Sequence, residues 1–136
     1  MKIVIDTSVL MAGLIKESIV RTILFSKNIH FFLPEYSINE IKKYESELII
    51  KSGYDKEELA TLINFLLENI ELVPKTQIKA YMKTSEQIMK DIDIKDASFI
   101  ATALSIKADG IWSFDKHFSK QKKVKIFDIA ELINHL

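Results

Sequence analysis

Short runs of strand-forming residues, kept apart by long helical stretches, constrain this chain more than any other feature. The runs are Ile3-Val4-Ile5, Phe31-Phe32-Leu33, Ile111-Trp112-Ser113 and Lys125-Ile126-Phe127. The first shows no polar–apolar alternation, so it reads as a strand buried on both faces, as in a parallel sheet. Between the runs, apolar residues recur at helical spacing. Strand and helix in alternation predict βα units, a parallel sheet and helices on both of its faces.

The spacing predicts helices over about 17–26, 37–51, 55–70, 76–90, 96–107 and 128–136. The second carries Ile38, Ile41, Tyr44, Leu48 and Ile49 on one face, and Gly53 stops it. Asp55 caps the third, with Glu58 placed for a capping box, ahead of a stripe from Leu59 to Ile70. That stripe reads as core, and its strength also allows a dimer face. Glu71-Leu72-Val73-Pro74 reads as a short strand or a connection. With no repeat, low-complexity segment or linker, residues 1–136 read as a single domain.

A chain of 136 residues that is 48% hydrophobic can bury a real core. Three Gly and two Pro leave little material for long loops. The formal net charge is zero, so binding to nucleic acid would need a local patch rather than the charge of the whole. The absence of cysteine excludes disulfides and thiolate zinc sites. No stretch approaches the roughly 18 apolar residues of a membrane span. Only three apolar residues separate Lys2 from Asp6, too few for a signal peptide. A cytoplasmic protein, free of membrane, is the expectation.

Four carboxylates stand out. Asp6 and Asp115 follow strands, at the edge where open α/β sheets place their ligands. Asp96 falls on the centre line of Phe99, Ile100, Ala103 and Leu104, an acid in the first turn of a helix on its buried face. Glu40 lies at the rim of an apolar stripe, about one 40° step from Tyr44. Each has a plainer reading. The three aspartates could be caps or turn residues, and Glu40 a solvated helix residue. Taken together they converge, and converging carboxylates repel. A hard divalent cation with oxygen ligands, Mg²⁺ or Mn²⁺, resolves that conflict.

The stretches IVIDTSVL, NEIKK, DASFIATAL and GIWSFDKHF, in that order, resemble the PIN-domain family of metal-dependent ribonucleases, over essentially the whole chain. The resemblance implies a three-layer α/β/α sandwich around a parallel sheet. It implies that Asp6, Glu40, Asp96 and Asp115 are catalytic, with Asp6, Asp96 and Asp115 as metal ligands. Ser8 and Ser113 would support them by hydrogen bonds, and Asp93 would be an auxiliary acid. The fourth element departs from a common form of the pattern. Asp115 takes the place of an Asn, and His117 stands where the acid before the Phe often is.

The implied reaction is hydrolysis of RNA phosphodiesters with Mg²⁺ or Mn²⁺ bound. Glu40 would be a ligand or would accept a proton from the attacking water. With Arg21 the single arginine, lysines must meet the RNA backbone. Lys116, Lys120, Lys122 and Lys123, followed by Lys125, cluster after Asp115; a solvated loop is the other reading. His30, His117 and His135 are scattered and form no HExxH pair, and Trp112 reads as core. Small PIN domains include toxins of toxin–antitoxin pairs, so an antitoxin protein and a homodimer are implied as possible partners. The competing reading is a catalytically silent PIN-like module that binds RNA or protein. A haloacid-dehalogenase-like phosphatase lacks its DxD here, and a response-regulator receiver lacks its phosphoacceptor.

Overall fold

A computed structural model describes the backbone of residues 1–136 and every side chain except that of Ile94. Five strands form one parallel sheet: β1 (Lys2–Ile5), β2 (His30–Pro34), β3 (Ile70–Val73), β4 (Gly110–Trp112) and β5 (Ile126–Phe127). Their order across the sheet is β3-β2-β1-β4-β5, every neighbouring pair parallel. The helices are α1 (Thr7–Ile15), α2 (Ile19–Leu24), α3 (Ser37–Lys43), α4 (Glu45–Ser52), α5 (Lys56–Leu67), α6 (Lys75–Lys79), α7 (Met82–Met89), α8 (Ala97–Ile106) and α9 (Ile129–Ile133).

The centre of the sheet is apolar because both of its faces are covered; Lys2 and His30, at the starts of β1 and β2, and Glu71, on edge strand β3, are exposed. Ile3, Ile5, Phe31, Leu33 and Trp112 point to one side, into a core shared with α1, α2, α4, α5 and α9. Val4, Phe32 and Ile111 point to the other, against residues of α6, α7 and α8. The result is a three-layer α/β/α sandwich. Side chains alternate across the strand by its pleat, and in the interior of β1, β2 and β4 both faces are apolar.

This layering positions the functional edge. The chain runs outward from β1 through β2 to β3, then crosses back to lay β4 on the other side of β1. The sheet therefore has its topological switch between β1 and β4, where open α/β sheets form a crevice at the carboxyl ends of the strands. A helix that feeds a parallel strand runs antiparallel to it. α8 feeds β4, so its N-terminus, with Asp96, arrives at that crevice.

The structure redraws several sequence expectations. α1 was not foreseen. Its sequence, TSVLMAGLI, is apolar on nearly every side, so it carries no helical period to detect. The helix expected over 37–51 is two, parted at Tyr44, whose backbone leaves the helical region (φ −98°, ψ 12°). The one expected over 76–90 is also two, parted at Ala80 and Tyr81. The helices expected over 17–26 and 128–136 are shorter, at Ile19–Leu24 and Ile129–Ile133. The helix expected over 55–70 ends at Leu67; Ile70, expected on its stripe, opens β3, and the segment expected as a strand or a connection at 71–74 is the strand Ile70–Val73. Gly53 stops α4 in the left-handed region (φ 77°), and Asp55 with Glu58 closes a capping box on α5, both as expected.

Gly110 opens β4 where β5 passes close by. A Cβ there would lie 2.4 Å from the Lys125 carbonyl oxygen and 2.5 Å from the Phe127 ring. Backbone cannot yield as a side chain can. Gly110→Ala is therefore expected to cost about 1–3 kcal/mol, read as a lower urea midpoint with unchanged slope.

Candidate functional site

The parallel register of β1 and β4 builds the centre of the site. Ile5 pairs with Trp112, so the next residues, Asp6 and Ser113, stand side by side. Both are buried. The Ser113 hydroxyl donates to Asp6 Oδ2 in a short hydrogen bond. Asp6 Oδ1 accepts from the Ser8 hydroxyl at 2.6 Å and from the Val9 N–H at 3.0 Å. The last contact makes Asp6 the N-cap of α1. The plain and the functional readings of Asp6 are thus not exclusive, since one carboxylate can cap a helix and face the crevice.

Ser113 also fixes Asp115. Its hydroxyl oxygen accepts from the Asp115 N–H at 2.9 Å. Asp115 in turn caps the short 3₁₀ turn Lys116–Lys120, with Oδ1 accepting from the His117 N–H at 2.9 Å. His117 folds back over this group, its Nδ1 3.3 Å from Asp115 Oδ1 and 3.9 Å from Asp93 Oδ2. Asp93 itself is a turn residue, accepting from the Lys95 N–H at 3.0 Å.

Asp96 behaves differently from the other aspartates. It stands at the N-cap position of α8, yet its side chain makes no cap hydrogen bond. Its Oδ2 is buried with no hydrogen-bond partner. Burial, followed by the charges of Asp93, Asp115 and Asp6, pushes its pKa from the usual 3.8 to about 6, with His117 opposing. The charges that act on it come from three other aspartates, Asp93, Asp115 and Asp6. The strain lies in Asp96, which has lost water and gained negative neighbours without a compensating donor.

Glu40 is half-buried on α3 and reaches the end of β1 through Thr7. Thr7 Oγ1 is 3.4 Å from Glu40 Oε1 and 3.1 Å from the Ser37 hydroxyl. Tyr36, which the sequence pattern did not single out, feels the charges of both Glu40 and Asp96. Burial, with the charges of Glu40 and Asp96 behind it, pushes its pKa up to about 12, and its hydroxyl shares a short hydrogen bond with Ser98. Tyr36 lies two residues beyond the end of β2, in the turn that leads into α3.

The lysine run divides. Lys116 shares a small cavity with Ser113 and Asp115. Lys122 and Lys123, with Lys125, turn instead toward Lys107 and Asp109, around a separate cavity. Asp109 precedes β4 and its N–H donates to the Lys2 carbonyl at the start of β1, so this cavity lies at the opposite edge of the sheet. Lys120, at the end of the 3₁₀ turn, is exposed. Arg21 is committed elsewhere, donating to the Gly13 carbonyl and the Tyr54 hydroxyl.

Among the described residues no three Asp, Glu or His side chains stand close enough to hold a metal ion as they are. The donor chemistry nonetheless fits a hard divalent cation. The groups are carboxylates, the charges of three of them raise the proton affinity of Asp96, and one buried Asp96 oxygen lacks a partner. No helix is long and apolar enough to cross a membrane.

A raised Asp96 pKa sets the direction of a pH effect. The folded chain holds this proton more tightly than the unfolded chain does. The stability this contributes is full below about pH 4 and is lost as pH rises through about 6. Asp96→Asn should therefore match the parent at pH 4 and exceed it at pH 7, in urea melts without divalent cations. Added Mn²⁺ should narrow the gap at pH 7 by stabilising the parent.

No curated protein matches the chain in sequence. A family model described as the PIN domain matches residues 4–127, which reach from β1 to β5. PIN domains are generally nucleases and typically use divalent metals. With that match over most of its length, and with a parallel α/β/α sandwich carrying acids at its switch point, the chain belongs to the PIN-domain family.

Proposed function

We propose that residues 1–136 form a single PIN-like domain acting in the cytoplasm as a divalent-metal-dependent endoribonuclease. The observation that carries this reading is Asp96. Its buried Oδ2 has no partner, and the charges of Asp6, Asp93 and Asp115 converge on the same carboxyl. A chain that keeps such repulsion at a ligand crevice gains from a cation there.

In this reading Asp6, Asp96 and Asp115 hold the ion. A bound Mg²⁺ or Mn²⁺ supplies Lewis acidity toward the scissile phosphate and a water of lowered pKa. Ser113 ties the Asp6 carboxylate to the Asp115 backbone, so two ligands from different strands are set by one hydroxyl. Ser8 fixes the other Asp6 oxygen. Glu40, beside Thr7, accepts a proton from the attacking water. Asp93 adds negative charge and holds His117. Lys116, in the cavity beside Asp115, meets a phosphate of the RNA.

Cleavage of a panel of structured and single-stranded RNAs tests this. Activity should appear with Mn²⁺ or Mg²⁺ and vanish with EDTA. Asp96→Asn should lower it by roughly 100-fold or more, and Ser113→Ala should weaken metal affinity by about 10- to 100-fold. Cleavage that survives EDTA would contradict the assignment. Metal binding with no cleavage of any RNA would favour the binding-only module instead.

A further inference from the structure

The cavity beside Asp115 has a wall that metal-assisted hydrolysis leaves unused. It encloses about 170 Å³, and its lining includes Phe114, Lys116, Ile126, Phe127 and Asp128. Phe114 sits between the two site residues Ser113 and Asp115, with 46% of its surface exposed. Its ring meets that of fully buried Trp112 edge-on, with centroids 6.0 Å apart at 84°. The backbone beneath it is clamped, because Ser113 is bonded to Asp6 and Asp115 is bonded to Ser113. An aromatic ring on a fixed support, open to solvent at the edge of an acidic site, is a stacking platform.

The rest of the lining is polar, with the Ser119 hydroxyl and the carboxylates of Asp128 and Glu131. Asp128 and Glu131 form the capping box of α9, with Asp128 Oδ1 accepting from the Glu131 N–H at 2.8 Å. Glu131 Oε1 accepts from the Asp128 N–H, and Glu131 Oε2 pairs with Lys125 at 3.0 Å. Asp128 Oδ2 remains as an acceptor outside this network. A carboxylate can only accept, so it favours a base edge that donates.

We propose that this cavity is a nucleobase subsite. The base next to the scissile phosphate stacks on Phe114, Lys116 meets the adjoining phosphate, and Asp128 accepts from an exocyclic amino group. The preferred ligand is single-stranded RNA with a base that carries an exocyclic amino group at this position: cytosine, adenine or guanine. Uracil, which places an acceptor oxygen where cytosine has its amino group, is disfavoured. The proposal deepens the ribonuclease reading and rests on it for the position of the phosphate.

Binding without metal separates the two. Short cytidine, adenosine and uridine oligomers would be titrated into the full chain in EDTA. The chain's one tryptophan, Trp112, lies against Phe114 and reports occupancy by fluorescence. Cytidine and adenosine oligomers should bind roughly 5- to 150-fold more tightly than uridine. Phe114→Ala should weaken binding by a similar factor, and Phe114→Tyr should preserve it. Phe114→Leu keeps apolar packing on Trp112 without a flat face, so it carries the test should the alanine variant fail to fold. Asp128→Asn keeps the helix cap but adds a donor, and should narrow the gap between cytidine and uridine. Equal affinity for the three oligomers, or binding indifferent to Phe114→Ala and Phe114→Leu, would overturn the proposal. Indifferent binding alongside metal-dependent cleavage would remove the subsite and leave the nuclease. Selective, Phe114-dependent binding with no cleavage under any metal would support the subsite and remove the nuclease.

Discussion

Everything at the functional edge depends on the pairing of β1 with β4. That pairing sets Asp6 beside Ser113, and the Ser113 hydroxyl then joins the end of one strand to the loop after the other. A slip of the register would separate these groups and would also misplace Ile5 and Trp112 from a fully buried face. The same apolar contacts that specify the sheet therefore specify the site. The switch in strand order supplies the crevice, and the antiparallel run of α8 delivers Asp96 to it.

Opposing forces meet at Asp96. Helix N-termini favour negative charge, but burial and three neighbouring aspartates oppose it more strongly, and the net effect raises its pKa. A neutral residue there would serve the fold better. Asp6 contrasts with it, because three hydrogen bonds satisfy its carboxylate and one of them caps a helix. The edge thus joins an acid the fold has satisfied to an acid it has left wanting. A cation is the partner whose chemistry suits both.

Much of this was legible in the sequence because it follows from local pattern. Unalternating apolar runs between helical stretches gave a parallel sheet covered on both faces. The helical wheel set Asp96 on the buried side of α8, and its half-buried side chain agrees. Strand ends pointed to Asp6 and Asp115. The rest needed three dimensions. α1 is buried too evenly to show a period. Tyr36 becomes part of the site through Asp96 and Ser98, which are distant in sequence, as well as through nearby Glu40. The lysine run looks continuous along the chain, but the chain descends the edge of the sheet between Asp115 and β5. Lys116 stays with the acids, while Lys122 and Lys123 reach the opposite end. Phe114 carried no signal of its own, being one apolar residue after a strand.

The central claim is that Asp6, Asp96 and Asp115 together bind a divalent cation. The most direct test is anomalous scattering from a crystal of the protein soaked in Mn²⁺ near neutral pH. The account predicts an anomalous peak between the Asp6 and Asp96 carboxylates, within direct or water-mediated reach of Asp115. A peak elsewhere in an ordered structure, or none at the switch point under saturating Mn²⁺, would contradict it.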